Sequence, residues 1–232
     1  MLIRPFPDYK ELFCILGDHN FEYDEVLGRN EMHFDDLTIN TELLCFAEQI
    51  HADGITYLND ESLANQEGTY PLVFPGADAL VTDSKGIYIA IKYADCIPIL
   101  IFDPVQKIIA GVHSGRTGTE LNIAGKTIAG IRENYGSNSS DLIVVLGPSI
   151  CGNHYEVSRD IFENFVASTD IDQTYPKLDL KRVVRHQLKS CDIDDENIHD
   201  YPICTFEDHR YYSYRRDNTL KRQISIIGMN NG

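Results

Sequence analysis

The sequence has no apolar run long enough to cross a bilayer. Its longest, around Ile97 to Phe102, falls far short of the roughly 20 residues that a spanning helix needs. It is also poor in positive charge: 20 basic residues stand against 36 acidic ones, a formal net charge of −16. A field of that sign repels polyphosphate backbones and argues against general nucleic-acid binding, but leaves room for a small anion held by a local arginine cluster. There is no Cys-x-x-Cys, which excludes ribbon and knuckle zinc sites built on cysteine pairs. The six cysteines are scattered without a dense framework, as expected of free thiols in a reducing compartment. No repeat or low-complexity segment is visible, and Gly147-Pro148 and Gly115…Gly118 make neither a Walker nor a Rossmann fingerprint. The first residues, MLIRPFPDYK, carry Pro5 and Pro7 and no apolar h-region, so they do not read as a secretory signal and the cytoplasm is the expected location. Asp192, Asp194, Asp195 and Glu196 resemble a calcium loop superficially, but Asn197 and Ile203 occupy the positions that need Gly and Glu.

What is present is a chain of 232 residues that can bury a sizeable core. Its middle reads as consecutive strands at Ala79–Thr82, Ile87–Lys92, Ile97–Phe102 and Lys107–His113, with turn chemistry in Asp83–Gly86 and Asp103–Gln106. Ile89 and Ile91 alternate with Ala90 and Lys92 as on a half-buried strand. Leu121, Ala124, Ile128 and Ile131 fall at helical spacing, ending at Gly136. Asp141–Gly147 reads as a further strand. Ser158 is placed to cap a helix burying Ile161, Phe162, Phe165 and Val166, and Asp179 one carrying Val183, Val184 and Leu188. Gln223–Met229 reads as a C-terminal strand. Strands in runs with helices inserted predict an α+β fold: one domain over residues 1–232, with a mixed β-sheet flanked by helices.

Three residues carry candidate chemistry. His51 follows a short helical pattern ending at Gln49-Ile50, Cys96 sits at the start of an apolar strand, and His113 ends the next one. If Cys96 and His113 lie on neighbouring strands of a hairpin they converge, and Cys with two His suits Zn²⁺ with a fourth position open. Asp95 could orient a ligand histidine or move protons, or simply serve the turn. Arg215 and Arg216, read as strand residues pointing to opposite faces, are the best anion candidates, with one serving a site and the other pairing with Asp217. Glu156 reads as structural rather than as a ribose contact.

The ordered segments GADALVTD, YADCIPIL, GVHSGRTGT, LGPSICGNHYEV and CTFEDHRYYSYRRD resemble the laccase-domain or YfiH-like family, also known as polyphenol oxidases. The resemblance spans roughly residues 45–228 and implies a zinc-dependent purine nucleoside phosphorylase acting on inosine, adenosine or 5′-methylthioadenosine, with adenosine deaminase activity. It places the metal ligands on His51, Cys96 and His113; Cys96 and His113, with Asp95 from its own chemistry, are the candidate catalytic residues. The cofactor it implies is zinc rather than copper, and the partners are a nucleoside and phosphate. The family loop His-Ala-Gly-Trp-Arg-Gly here reads His113-Ser114-Gly115-Arg116-Thr117-Gly118, so Arg116 is the candidate for the guanidinium that Thr117 lacks. His154 replaces a cysteine before Tyr155-Glu156-Val157, and Thr219-Leu220-Lys221-Arg222-Gln223 replaces the usual Thr-Gly-Arg-Gln. The competing enzyme reading is a thiol hydrolase, or a peptidoglycan-precursor editing amidase, with Cys96 as nucleophile and His113 as base. The non-enzyme reading is an interaction domain stabilised by zinc, with His154 or His209 closing the site.

Overall fold

Tracing the chain shows it passing back and forth between two stacked β-sheets. The computed structural model describes residues 5–6, 9–34, 37–64 and 70–230; Pro7, part of the N-terminal stretch read above, lies outside them. The first sheet orders Leu12–Leu16, Gln223–Met229, Tyr88–Tyr93, Leu44–Ala47 and Leu72–Phe74 side by side. The second orders Ile198–Asp200, Ile143–Leu146, Ile97–Asp103, Ile108–Ser114, Ala79–Thr82 and Ile55–Leu58. Both mix parallel and antiparallel pairs. The fold is α+β in a single domain, and the expected mixed sheet is realised as two.

The sheets pack face to face because their strands are apolar on both sides. Ile89 and Ile91 enter the layer between the sheets with Leu100, Phe102, Ile109 and Val145, whereas Tyr88 and Ala90 face outward. The strand expected to be half-buried is therefore covered twice. Its outer face is closed by the helix Tyr23–Leu27 and the hairpin Glu31–Phe34/Leu37–Asn40. The second sheet turns Ile97, Ile99, Ile101 and Val144 toward the helices Ile123–Tyr135, Arg159–Thr169 and Leu180–Ser190. Burial of this kind stabilises by about 25 cal/mol per Å² of apolar surface removed from water.

Local signals explain most boundaries. Asp179 accepts from the Arg182 N–H to start its helix, and Gly136 at φ 69 closes Ile123–Tyr135. Ser158 occupies its cap position without a side-chain capping bond, and in that helix only Phe165 is fully enclosed. Leu121 lies before its helix, exposed, at the end of the short helix Arg116–Glu120; Asn122 is the cap. Two elements differ in kind. The segment before His51 is a strand, Leu44–Ala47, whose continuous burial on both faces mimics helical spacing. Arg215 and Arg216 lie on a helical turn, Tyr214–Asp217, because Ser213 accepts from the Arg216 N–H and Asn218 ends the turn at φ 50. Among the described residues no helix is long and apolar enough to cross a membrane.

Candidate metal centre and its cleft

The site forms where the chain leaves the first sheet for the second. Three such crossings lie together, and each delivers a polar residue. Residues 48–54 leave Leu44–Ala47 for Ile55–Leu58 and carry His51; residues 75–78 leave Leu72–Phe74 for Ala79–Thr82 and carry Asp78; residues 94–96 leave Tyr88–Tyr93 for Ile97–Asp103 and carry Cys96. His113 arrives on the strand between, paired in register with Pro98. The hairpin that joins it to Cys96 turns at Asp103, whose carboxylate accepts from the Val105 and Gln106 N–H groups.

Sharp backbone turns aim these side chains. Gln49 (φ 65), His51 (φ 61) and Asp95 (φ 89) all adopt left-handed conformations, uncommon for residues with a Cβ. Gln49 holds its crossing in place by acting as a strand partner: its amide donates to the Lys92 carbonyl at 2.6 Å and accepts from the Lys92 N–H at 3.0 Å. Asp78, fully enclosed, organises the rest. One carboxylate oxygen lies 2.8 Å from His113 Nδ1 and 3.0 Å from the His51 N–H, and the other accepts from the Ala52 N–H at 2.8 Å. Burial opposes its charge, but these bonds hold its carboxyl below the usual range. Burial also depresses His113, against the pull of Asp78, so its ring is neutral near pH 7.

His51, Cys96 and His113 thereby come together. Their ligand atoms lie within 4.8 Å of one another, with His51 Nε2 at 3.9 Å from Cys96 Sγ and the two imidazoles edge-to-face at 4.8 Å between centroids. Burial pushes the Cys96 thiol up to about 12, reinforced by the nearby Asp95 charge. A Cβ added at Gly115 would sit 3.0 Å from Cys96 Sγ and 3.2 Å from His51 Cδ2, so the glycine preserves the space that these donors face. Gly115→Ala is expected to weaken the binding of any metal ion this trio holds roughly tenfold, the order of the 1–3 kcal/mol that an inserted methyl costs in a filled space. Chelator competition on the purified variant checks it, and unchanged affinity would refute the crowding argument.

The trio opens into a cleft of about 870 Å³ lined also by Lys92, Arg116, Tyr155, Arg215 and Arg222. The cations differ in what they already hold. Arg116 is ion-paired with Glu120 at 2.6 Å. Arg215 stacks over the Tyr155 ring at 4.9 Å and donates to the Glu156 carbonyl. Arg222 donates to the Thr219 and Lys221 carbonyls. Burial depresses Lys92, which stands 4.9 Å over the Tyr23 ring. Arg216 is outside the cleft lining: it donates to the Thr205, Phe206 and Tyr211 carbonyls and pairs with Asp217. Asp95 turns its carboxylate away from both histidines' hydrogen bonds and toward the Arg215 turn. It accepts from the Thr205 hydroxyl at 2.7 Å and from the Arg215 N–H at 2.7 Å, tying the Cys96 crossing to the Arg215 turn. Asp78, Gln49, Lys92 and Arg222 were not singled out from the sequence. Asp78 had a readable signal: a carboxylate opening a strand inside a matched segment, GADALVTD.

A three-donor Cys-His₂ group lining a cleft with cationic walls is a donor set suited to a soft-to-borderline metal, beside space suited to an anionic or polar small molecule. The multi-copper polyphenol oxidoreductase laccase family matches residues 14–230, and the chain belongs to it. It is 31% identical over 220 residues to a Corynebacterium glutamicum protein named purine nucleoside phosphorylase, covering 91% of this chain and 85% of that one. A Campylobacter jejuni protein of the same name is 31% identical, covering 93% and 90%. Among solved structures, YlmD from Geobacillus stearothermophilus superposes with a TM-score of 0.82 at 22% identity over 99% of this chain and 96% of that one. YfiH from Bacillus licheniformis gives 0.79 at 22% identity, over 96% and 94%.

Proposed function

We propose that the chain is a zinc-dependent purine nucleoside phosphorylase that also deaminates adenosine, working in the cytoplasm on inosine, adenosine or 5′-methylthioadenosine. The observation that carries the reading is the convergence of His51, Cys96 and His113 beside a cleft with cationic walls, in a chain whose relatives bear the phosphorylase name. The donor set fits zinc. Ligand atoms of a tetrahedral centre stand about 3.5 Å apart, near the His51–Cys96 separation of 3.9 Å, and the Gly115 space leaves the donors accessible. Bound there, zinc would supply Lewis acidity toward phosphate or the leaving base.

The chain's own residues do the rest. Asp78 fixes the His113 ring by its Nδ1, leaving Nε2 for the metal. Arg215, Lys92 and Arg222 bind phosphate, Arg215 by its forked guanidinium, with Arg116 assisting from its pair with Glu120. Asp95 acts as a positioning residue, setting the Arg215 turn against the Cys96 crossing. The purine stacks on the cleft's tyrosines, Tyr155 foremost. A phosphate oxygen attacks C1′ of the ribose, the N-glycosidic bond breaks, and its electron pair leaves with the base, which takes up the proton that the attacking hydrogen phosphate gives up. Positive charge developing on the sugar meets the bound phosphate, which therefore stabilises and attacks in one step.

Products separate the two activities. With phosphate, inosine or adenosine is expected to yield ribose 1-phosphate and free base; without it, adenosine is expected to yield inosine alone. A metal-loaded protein forming neither product from any purine nucleoside overturns the reading. The Asp78–His113 pair also favours a second reading, since a carboxylate orienting a histidine beside a thiol is the arrangement of a cysteine hydrolase. Such an enzyme, a peptidoglycan-precursor amidase included, would be inactivated by thiol alkylation at Cys96 and indifferent to chelators.

A further inference from the structure

A second group of metal-ligating side chains lies outside this cleft. Cys151, His154, Cys204 and Glu207 place their ligand atoms within 4.8 Å of one another. We propose that these four residues bind a second metal ion of the zinc class, in a closed structural site that pins together the two loops framing one wall of the cleft.

The geometry is that of a coordination shell. His154 Nδ1 stands 3.3 Å from Cys151 Sγ, 3.8 Å from Cys204 Sγ and 3.3 Å from Glu207 Oε1. With metal–sulfur near 2.3 Å and metal–nitrogen or –oxygen near 2.0–2.1 Å, the edges of a tetrahedron are about 3.4–3.8 Å. Four protein donors fill it, whereas the His51 trio leaves a position open. Two thiolates, one imidazole and one carboxylate are soft enough to select zinc over magnesium or calcium.

The sequence supplies the ligands in two matched pairs, Cys151-x-x-His154 and Cys204-x-x-Glu207. This is the spacing of a zinc knuckle, with His and Glu where a second cysteine would stand. Each pair sits on the same kind of tight turn: the His154 N–H donates to the Cys151 carbonyl, and the Glu207 N–H to the Cys204 carbonyl. The turns are sewn together beforehand. Ser149 and Cys204 form a parallel bridge, and the Cys151 N–H donates to Cys204 Sγ at 3.3 Å. The His154 ring is held in plane by Phe206, stacked at 4.6 Å and 15°.

The position gives the site a purpose. His154 immediately precedes Tyr155, which lines the cleft under Arg215. Thr205, between the other two ligands, donates to Asp95. A metal here would fix both the Tyr155 wall and the anchor of Asp95 without touching substrate.

The test is metal content by variant, with circular dichroism to confirm folding. Protein carrying His51→Ala with Cys96→Ala, loaded with Zn²⁺ and desalted, is expected to retain one equivalent per chain. Cys151→Ser with Cys204→Ser is expected to lose that equivalent. Glu207 is largely exposed, so Glu207→Gln should fold normally and bind at least tenfold more weakly in chelator competition. Co²⁺ loaded into the His51→Ala, Cys96→Ala protein is expected to show thiolate charge-transfer absorption that Cys151→Ser with Cys204→Ser removes. Zero equivalents in that protein, undiminished metal in the Cys151→Ser, Cys204→Ser protein, or a Cys151–Cys204 disulfide in place of metal would overturn the proposal. Because the readout is metal in a protein lacking the first centre, it stands or falls separately from the nucleoside reaction.

Discussion

Replacing Asp78 with alanine is expected to weaken metal binding at the His51–Cys96–His113 centre by about 10- to 100-fold, the usual consequence of removing the partner that orients a ligand histidine. The substitution also orphans three donors at once, the buried His113 ring N–H and the partly buried His51 and Ala52 backbone N–H groups. Each unsatisfied donor costs about 1–3 kcal/mol, so a fall in stability accompanies the loss. Asp78→Asn separates the two effects. The amide keeps one acceptor oxygen of the two, so the fold should be partly rescued while the carboxylate's charge beside His113 is lost. Equilibrium competition with a chelator gives the affinity, and denaturant unfolding the stability. Wild-type affinity in a folded Asp78→Ala protein would remove Asp78 from its organising role.

Arg215→Ala is expected to raise the KM for phosphate by about tenfold to a hundredfold, with metal content unchanged. A hydrogen bond to a charged group is worth about 1.5–3 kcal/mol, and each 1.4 kcal/mol is a factor of ten. Arg116→Ala should shift it less, because that guanidinium already neutralises Glu120. Arg216→Ala should behave differently from both. Its three carbonyl bonds knit the loop around Thr205 to Tyr211, so it should lower stability before it changes phosphate affinity. Steady-state kinetics with phosphate varied, alongside metal analysis, distinguish the three. A phosphate KM that moves with Arg116 and not with Arg215 would transfer the anion contact to the Arg116–Glu120 turn.

The contrast among these arginines shows where sequence reading reaches its limit. Cys96 and His113 were legible as neighbours because a two-strand hairpin has a fixed register and Asp103 marks its turn. His51 was not placeable by any local rule. Its position depends on two left-handed residues and on a crossing between sheets, both set by long-range packing. The doubly buried strand Leu44–Ala47 loses the alternation that would have revealed it, and so read as helix. Arg215 and Arg216 diverge as expected of adjacent residues, but on a helical turn capped by Ser213 rather than on a strand. A cysteine-pair pattern does not cover Cys151-x-x-His154 and Cys204-x-x-Glu207, where the second donor of each pair is an imidazole or a carboxylate.

The three crossings that build the first centre also set the order in which it can come into being. Its donors and their carboxylate run from residue 51 to residue 113, and they meet only where one sheet hands the chain to the other. Each crossing is complete only when both sheets are in place, so a metal bound there is expected to act as a latch that slows the opening of the native state.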